Sequence, residues 1–149
     1  MSTILLGISS GIAAHKAVNL ITLLLNSKHE VQVMMTTKAS YMISPDKIAE
    51  ITSNPVLINL FDDHFSYEEV LKSRKVDHIE LAKKADLIVI APATANTIAK
   101  IASGTADDFI TTTLLAATAP VLICPSMNDR MWFHPATQRN HKTLESFGY

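Results

Sequence analysis

Four short apolar runs set the strongest limit on how this chain can fold. Thr3–Ile8, Glu30–Met35, Asp86–Ala91 and Val121–Cys124 are built mostly of Ile, Leu, Val, Met and Ala, and turn-forming residues follow them. A strand that is apolar at nearly every position, rather than at alternate ones, is buried on both faces. That pattern belongs to a parallel sheet sandwiched between helices. The intervening segments supply the helices. Apolar residues recur at helical spacing through Ala13, Ala17, Leu20 and Leu24, so Ile12–Ser27 is expected to be one helix, reached through the tight turn Ser9-Ser10-Gly11. The fold class expected from these units is α/β, a doubly wound parallel sheet in three layers.

Helix signals fill most of the remaining chain. Ser44-Pro45 offers a hydroxyl cap and a first-turn proline for a helix over Asp46–Thr52. Asn59–Arg74 is charged and weakly periodic, and reads as a surface excursion. Asp77-His78-Ile79-Glu80 fits a capping box for a helix running to about Ala85. Pro92 is expected to end the third strand. Further helices are expected over Ala95–Ser103, closed by Gly104, over Asp107–Thr118, and over Pro135–Phe147, stopped by Gly148. Gly148-Tyr149 then reads as a C-cap followed by the start of another extended segment, so a further segment is expected to follow.

Composition excludes several classes. The 149 residues suffice for one domain, over 1–149, with a sizeable core. With 13 basic against 14 acidic residues, no positive excess exists to neutralise a nucleic acid or an anionic membrane surface. Every apolar run is shorter than the ~18 residues of a membrane span, and Met1–Gly7 lacks a secretion signal, so a cytoplasmic protein is expected. The single cysteine, Cys124, permits no internal disulfide and no cysteine-rich metal site. His15, His29, His64, His134 and His141 show no metal-ligand spacing.

In open α/β sheets ligands bind where strands end. Three such turns carry small, hydroxyl and amide side chains: Ser9-Ser10-Gly11, Ala91-Pro92-Ala93-Thr94-Ala95-Asn96-Thr97, and Pro125-Ser126-Met127-Asn128-Asp129-Arg130-Met131-Trp132. They are expected to open on one pocket. The first lacks the three-glycine dinucleotide fingerprint, which favours a mononucleotide over NAD, and the scarcity of charge points to a polar ring or amide ligand. His78, in a first helical turn, is either a proton-transfer group or a surface residue. Asp107-Asp108 is either an acid-base pair or a helix start, with the latter favoured. Met127, Met131 and Trp132 either cover a ring ligand or pack in the core, and Cys124, in a buried strand, is expected to be inert.

Taken together, Gly7–Ala14, His78–Ala82, Ala91–Thr97, Gly104–Asp108 and Pro125–Trp132 resemble the homo-oligomeric flavin-containing cysteine decarboxylases, over nearly the whole chain. Within that family the pattern is most similar to the phosphopantothenoylcysteine decarboxylases of coenzyme A biosynthesis. The resemblance implies a flavodoxin-like (Rossmann-like) fold and FMN held between subunits of a homotrimer, in some members assembled into a homododecamer. It implies a flavin site of Ser9, Ser10 and Gly11, with Thr36 and Lys38 after the second strand, Thr94, Ala95, Asn96 and Thr97 after the third, and a backbone contact from Ser126. It makes His78 the active-site base and Asn128 the amide that holds the substrate carboxylate.

The implied chemistry suits these residue types. FMN accepts a hydride equivalent from the cysteine moiety, and the resulting thioaldehyde absorbs the electrons released as carbon dioxide leaves. Asn128 orients the carboxylate without an ion pair that would oppose its loss. Reducing members resemble one another in a cysteine on a substrate-covering segment after the last helix. Tyr149 precedes such a segment and Cys124 lies upstream of Asn128, so residues 1–149 are expected to release carbon dioxide and accumulate the enethiol. Alternatives carried by the same resemblance are oxidative decarboxylation of a peptide C-terminal cysteine, as in lantibiotic maturation, and a non-catalytic flavin-binding regulatory oligomer. A phosphopantothenoylcysteine synthetase, as domain or separate protein, is the implied partner.

Overall fold

The structure, a computed structural model, describes residues 1–61, 66–73 and 77–149. Strand β1 (Thr3–Ile8) leads through Gly11 into a 3-10 helix (Ile12–Lys16) and α1 (Ala17–Asn26), then β2 (Glu30–Met35). Short helices α2 (Thr37–Ser40), α3 (Pro45–Thr52), α4 (Tyr67–Ser73) and α5 (Asp77–Lys84) precede β3 (Leu87–Ala93). The chain continues through α6 (Ala95–Ser103), α7 (Phe109–Leu115), β4 (Val121–Pro125), α8 (Asp129–Trp132) and α9 (Pro135–Ser146).

All strand pairs are parallel, in the order β2-β1-β3-β4. Leu6 faces Val33 on one side and Val89 on the other. Alternation along β1 divides the core. Ile4, Leu6 and Ile8 join Ile21 and Ile48 on one face, while Leu5 joins Ile98, Ile110 and Leu144 on the other. This three-layer α/β arrangement is the one expected, and it places the ends of β1, β3 and β4 side by side.

Several boundaries differ from the sequence expectations. The helix expected from Ile12 begins as a 3-10 helix, because Gly11 is extended and supplies no side-chain cap, and the Ala14 amide bonds back to Gly11 O instead. Strand β3 does not stop at Pro92. It passes through a cis Ala91–Pro92 bond to Ala93, and its register with β4 shifts between Ile90 and Ala93, where the proline offers no ladder donor. The expected surface excursion contains α4, whose Tyr67 and Leu71 are indeed exposed. Its signals are Ser66, whose hydroxyl accepts from the Glu69 amide, with Glu68 and Glu69 in the first turn and Lys72 in the last. The Asp77 side chain, on which the expected capping box depends, lies outside the described residues. Among the described residues β4 is an edge strand rather than a buried one: it pairs there with β3 alone, and Leu122 is 52% exposed.

Asp107 and Asp108 act as a helix start. The Asp108 carboxylate accepts from the Thr111 amide at 2.8 Å while Thr111 Oγ1 receives the Asp108 amide, so α7 begins at Phe109. Lys100 of α6 reaches Asp107 at 2.7 Å and Asp108 at 3.5 Å. The hydrogen bond to Asp107, supported by both carboxylate charges against the opposing effect of burial, raises the Lys100 ammonium above the ordinary lysine range. A cation held more tightly in the fold than in the unfolded chain stabilises the fold below the unfolded pKa of about 10.4 and loses that effect as pH rises further. Lys100→Met is therefore expected to lower stability by about 1 kcal/mol at neutral pH. The deficit should shrink in urea titrations above about pH 11.

Candidate functional site

A cleft of about 830 Å³ opens at the carboxyl ends of the strands. Ser10 and Gly11 after β1, Thr94, Ala95 and Asn96 after β3, and Ser126 and Asn128 after β4 line it, and Lys38 of α2 reaches it from the β2 side. The three turns singled out in the sequence thus share one pocket, with a volume in the range of cofactor sites.

Three of the residues expected there frame the cleft rather than line it. Ser9 is 1% exposed; its hydroxyl donates to Pro92 O at 2.7 Å and accepts from the Thr94 amide at 3.0 Å. One side chain thereby ties the β1 turn to the β3 turn. Thr97 is buried, its amide and hydroxyl both bonded to Thr94 Oγ1, which caps α6. Thr36 caps α2 by accepting from the Ala39 amide and so aims the turn that carries Lys38. Ser9→Ala strips the Thr94 amide of its acceptor while Pro92 O keeps the Ser9 amide. The expected cost is about 1–3 kcal/mol in chemical denaturation, accompanied by weaker ligand binding because two walls of the cleft lose their tie.

Asn128 is held by its own cap. Its Oδ1 accepts from the Arg130 amide at 2.9 Å at the start of α8. With the oxygen engaged, the NH2 group is the end left to donate to an anion in the cleft.

The cleft is more basic than the turn sequences imply. His15 and Lys16 line it together with Lys38, and among the described residues no carboxylate does. His15 Nδ1 bonds Ile12 O, which leaves Nε2 toward solvent or ligand. Apolar surface comes from Ile12, Met42, Met127 and Met131, of which Ile12 is 88% exposed. Ile12 falls outside the helical stripe of Ala13, Ala17, Leu20 and Leu24, and that was a legible signal for a contact surface. His15 and Lys16 had none, since their place at the cleft depends on how the 3-10 helix winds.

His78 does not line this cleft. It lies on α5, partly buried, with its ring edge-on to Phe109 of α7 at a centroid distance of 6.2 Å. Trp132 also turns away, toward His141 of α9 at 5.2 Å. Cys124 is half-buried, and desolvation raises its thiol pKa.

Residues 1–149 match the protein family described as Flavoprotein from end to end. The chain belongs to the Flavoprotein family. Its curated relatives include the coenzyme A biosynthesis bifunctional protein CoaBC of Bacillus subtilis (strain 168), 43% identical over 98% of this chain and 34% of that protein. CoaBC of Vibrio cholerae is 44% identical over 98% of this chain and 35% of its own length. This Flavoprotein-family chain therefore spans about a third of the length of those relatives. Among solved structures, the FMN-dependent cysteine decarboxylase SpaF superimposes with a TM-score of 0.89 at 34% identity, covering 100% of this chain and 82% of SpaF. A PPC decarboxylase mutant complexed with pantothenoylaminoethenethiol gives 0.76 at 33% identity, over 99% of this chain and 79% of that one. The flavodoxin-like architecture expected from the resemblance is the one this family shares. Among the described residues no helix is long and apolar enough to cross a membrane.

Proposed function

We propose that residues 1–149 form one FMN-dependent decarboxylase domain that acts on the cysteine carboxylate of phosphopantothenoylcysteine in coenzyme A biosynthesis. The observation that carries this reading is the union of uncharged residues from three strand-end turns with Lys38, Lys16 and His15 in a cleft that no carboxylate lines among the described residues. Such a lining suits a ligand with a planar polar ring and an anionic end. Ile12, Met42, Met127 and Met131 suit the faces of the ring, Asn96 and Thr94 its polar edge, and Lys38 the phosphate. The likeness to CoaBC proteins and to FMN-dependent cysteine decarboxylases supports the same reading.

FMN, when bound, supplies the acceptor for the hydride equivalent taken from the substrate's thiol-bearing carbon. The protein's own groups do the rest. Asn128 donates its NH2 to the substrate carboxylate and orients the bond to be broken, and its neutrality leaves that carboxylate free to depart. His78 accepts the thiol proton as the carbon is oxidised. Since His78 lies on α5 outside its own cleft, we assign it to the cleft of a neighbouring copy. Flavin binding and assembly, as a homotrimer or a homododecamer of trimers, then stabilise each other by mass action. A phosphopantothenoylcysteine synthetase, as a fused domain or a cytoplasmic partner, supplies the substrate, in keeping with the bifunctional relatives.

A cysteine at a peptide C-terminus is the second reading, favoured by the superposition on the peptidyl-cysteine decarboxylase EpiD, with a TM-score of 0.74 at 27% identity. The test is direct. Purified protein is expected to be yellow, to bind FMN noncovalently as an oligomer in light scattering, and to release carbon dioxide from phosphopantothenoylcysteine faster than from a cysteine-ended peptide. A folded protein that takes up no FMN in a fluorescence titration overturns the assignment, and a reversed preference promotes the second reading.

A further inference from the structure

Among the described residues that line the cleft, His15 is the one whose side-chain type changes charge near neutral pH. It lies on the 3-10 helix, and its Nδ1 stands 2.6 Å from Ile12 O. A carbonyl oxygen can only accept, so Nδ1 carries its hydrogen whether the ring is neutral or charged. The backbone thereby fixes the tautomer, and Nε2, on the opposite edge of the ring, is the position that gains or loses a proton. The helix type decides where that edge lies. With three residues per turn, Ile12 and His15 are eclipsed on one ridge, and both line the cleft.

The charges that share the cleft with this ring are of one sign. Lys16, its neighbour on the 3-10 helix, and Lys38 of α2 are the other ionisable side chains lining it among the described residues. The elements packed on the 3-10 helix, α1 and β3, carry no ionisable side chain. Like charges oppose an imidazolium and an anion favours it, so the occupant of the cleft decides the charge of the ring. Resting on the proposed function, we propose that His15 takes up a proton at Nε2 when FMN binds and donates it in a hydrogen bond to the flavin phosphate, beside Lys38. Solvent supplies the proton, since the side chain is exposed. His15 thus makes cofactor affinity rise as pH falls toward 7, and it discriminates FMN from riboflavin, which has no anionic end.

Calorimetric titration of the flavin-free protein with FMN, in buffers of different ionisation enthalpy, counts the protons without turnover. His78, assigned to this cleft from a neighbouring copy, is the other imidazole in reach, so the count is made in His78→Asn protein. It is made at about pH 7.5, where a phosphate with its second pKa near 6 is already a dianion. About half a proton is expected to be taken up per FMN, with none in protein that also carries His15→Gln and none when riboflavin replaces FMN. At about pH 7, His15→Gln is expected to bind FMN about fivefold more weakly, the effect of one solvent-exposed charge pair. His15→Lys places a permanent cation there. Its FMN affinity is expected to stay flat between about pH 7 and 8.5 and, at the upper end, to exceed that of the unsubstituted protein about fivefold. Proton uptake that persists in His15→Gln or is equal with riboflavin overturns the proposal, as does His15→Lys binding FMN no more tightly than His15→Gln at about pH 8.5. In each case the decarboxylase reading stands. A folded protein that binds no FMN at all overturns both.

Discussion

His78→Asn is expected to bind FMN as tightly as the unsubstituted protein while its flavin is reduced by substrate about a hundred- to ten-thousandfold more slowly. Asparagine keeps a polar, planar side chain of similar reach in the first turn of α5 but cannot take up a proton near neutral pH. Because the ring rests on Phe109 and does not line its own cleft, the substitution leaves the walls of that cleft intact, and in the neighbouring cleft an asparagine of similar reach takes the place of the imidazole. Stopped-flow absorbance of the flavin reads the effect. If the substituted protein reduces its flavin at the original rate, His78 is not the base. The same residue tests where the site is completed. Chains carrying His78→Asn and chains carrying Asn128→Asp, each strongly impaired alone at substrate concentrations far below saturation of the Asn128→Asp protein, should regain activity there on refolding together, with at most about one quarter of clefts assembled from two intact halves. A site closed within one chain recovers nothing.

Asn128→Asp carries the second large effect, on binding rather than on chemistry. Aspartate caps α8 as well as asparagine does, because the Arg130 amide needs only an oxygen acceptor, so the fold is expected to hold. What changes is the group facing the substrate. A donor NH2 becomes an anion opposite a carboxylate, and two like charges about 4 Å apart at an effective dielectric near 20 repel by about 4 kcal/mol, on the order of a thousandfold in affinity. Titration of FMN-loaded protein with a carboxylate-bearing, thiol-free analogue measures it. An affinity within about threefold of the original removes Asn128 from the carboxylate site.

Both predictions depend on placements of different legibility. The place of Asn128 was readable because it is local: a polar residue after an apolar strand, ahead of a short helix, exposes one end of its amide at the sheet edge, while its role toward a carboxylate came only through the likeness to a family. His78 was readable as a proton-transfer residue only through the likeness to a family, and nothing in its helix indicates which cleft it serves. Ser9 shows a subtler gap. Its position in the turn was evident, yet the hydroxyl spans to Pro92 and Thr94, more than eighty residues away in sequence, and so became part of the frame. His15 and Lys16 were passed over because their first turn winds as a 3-10 helix, which rotates side chains differently from the α-helix that periodicity predicts.

Apolar continuity along four runs, proline and glycine at their ends, and caps such as Thr94 and Asp108 are properties of neighbouring residues. They determined the parallel α/β fold and the place where its strands deliver polar turns, because burial on both faces and capping are settled within a few residues of chain. The order β2-β1-β3-β4, the edge position of β4 and the basic side of the cleft arise between segments distant in sequence. Only the packed tertiary structure decided them, since hydrogen-bond ladders and side-chain contacts of that kind depend on which surfaces meet and carry no signal in either segment alone.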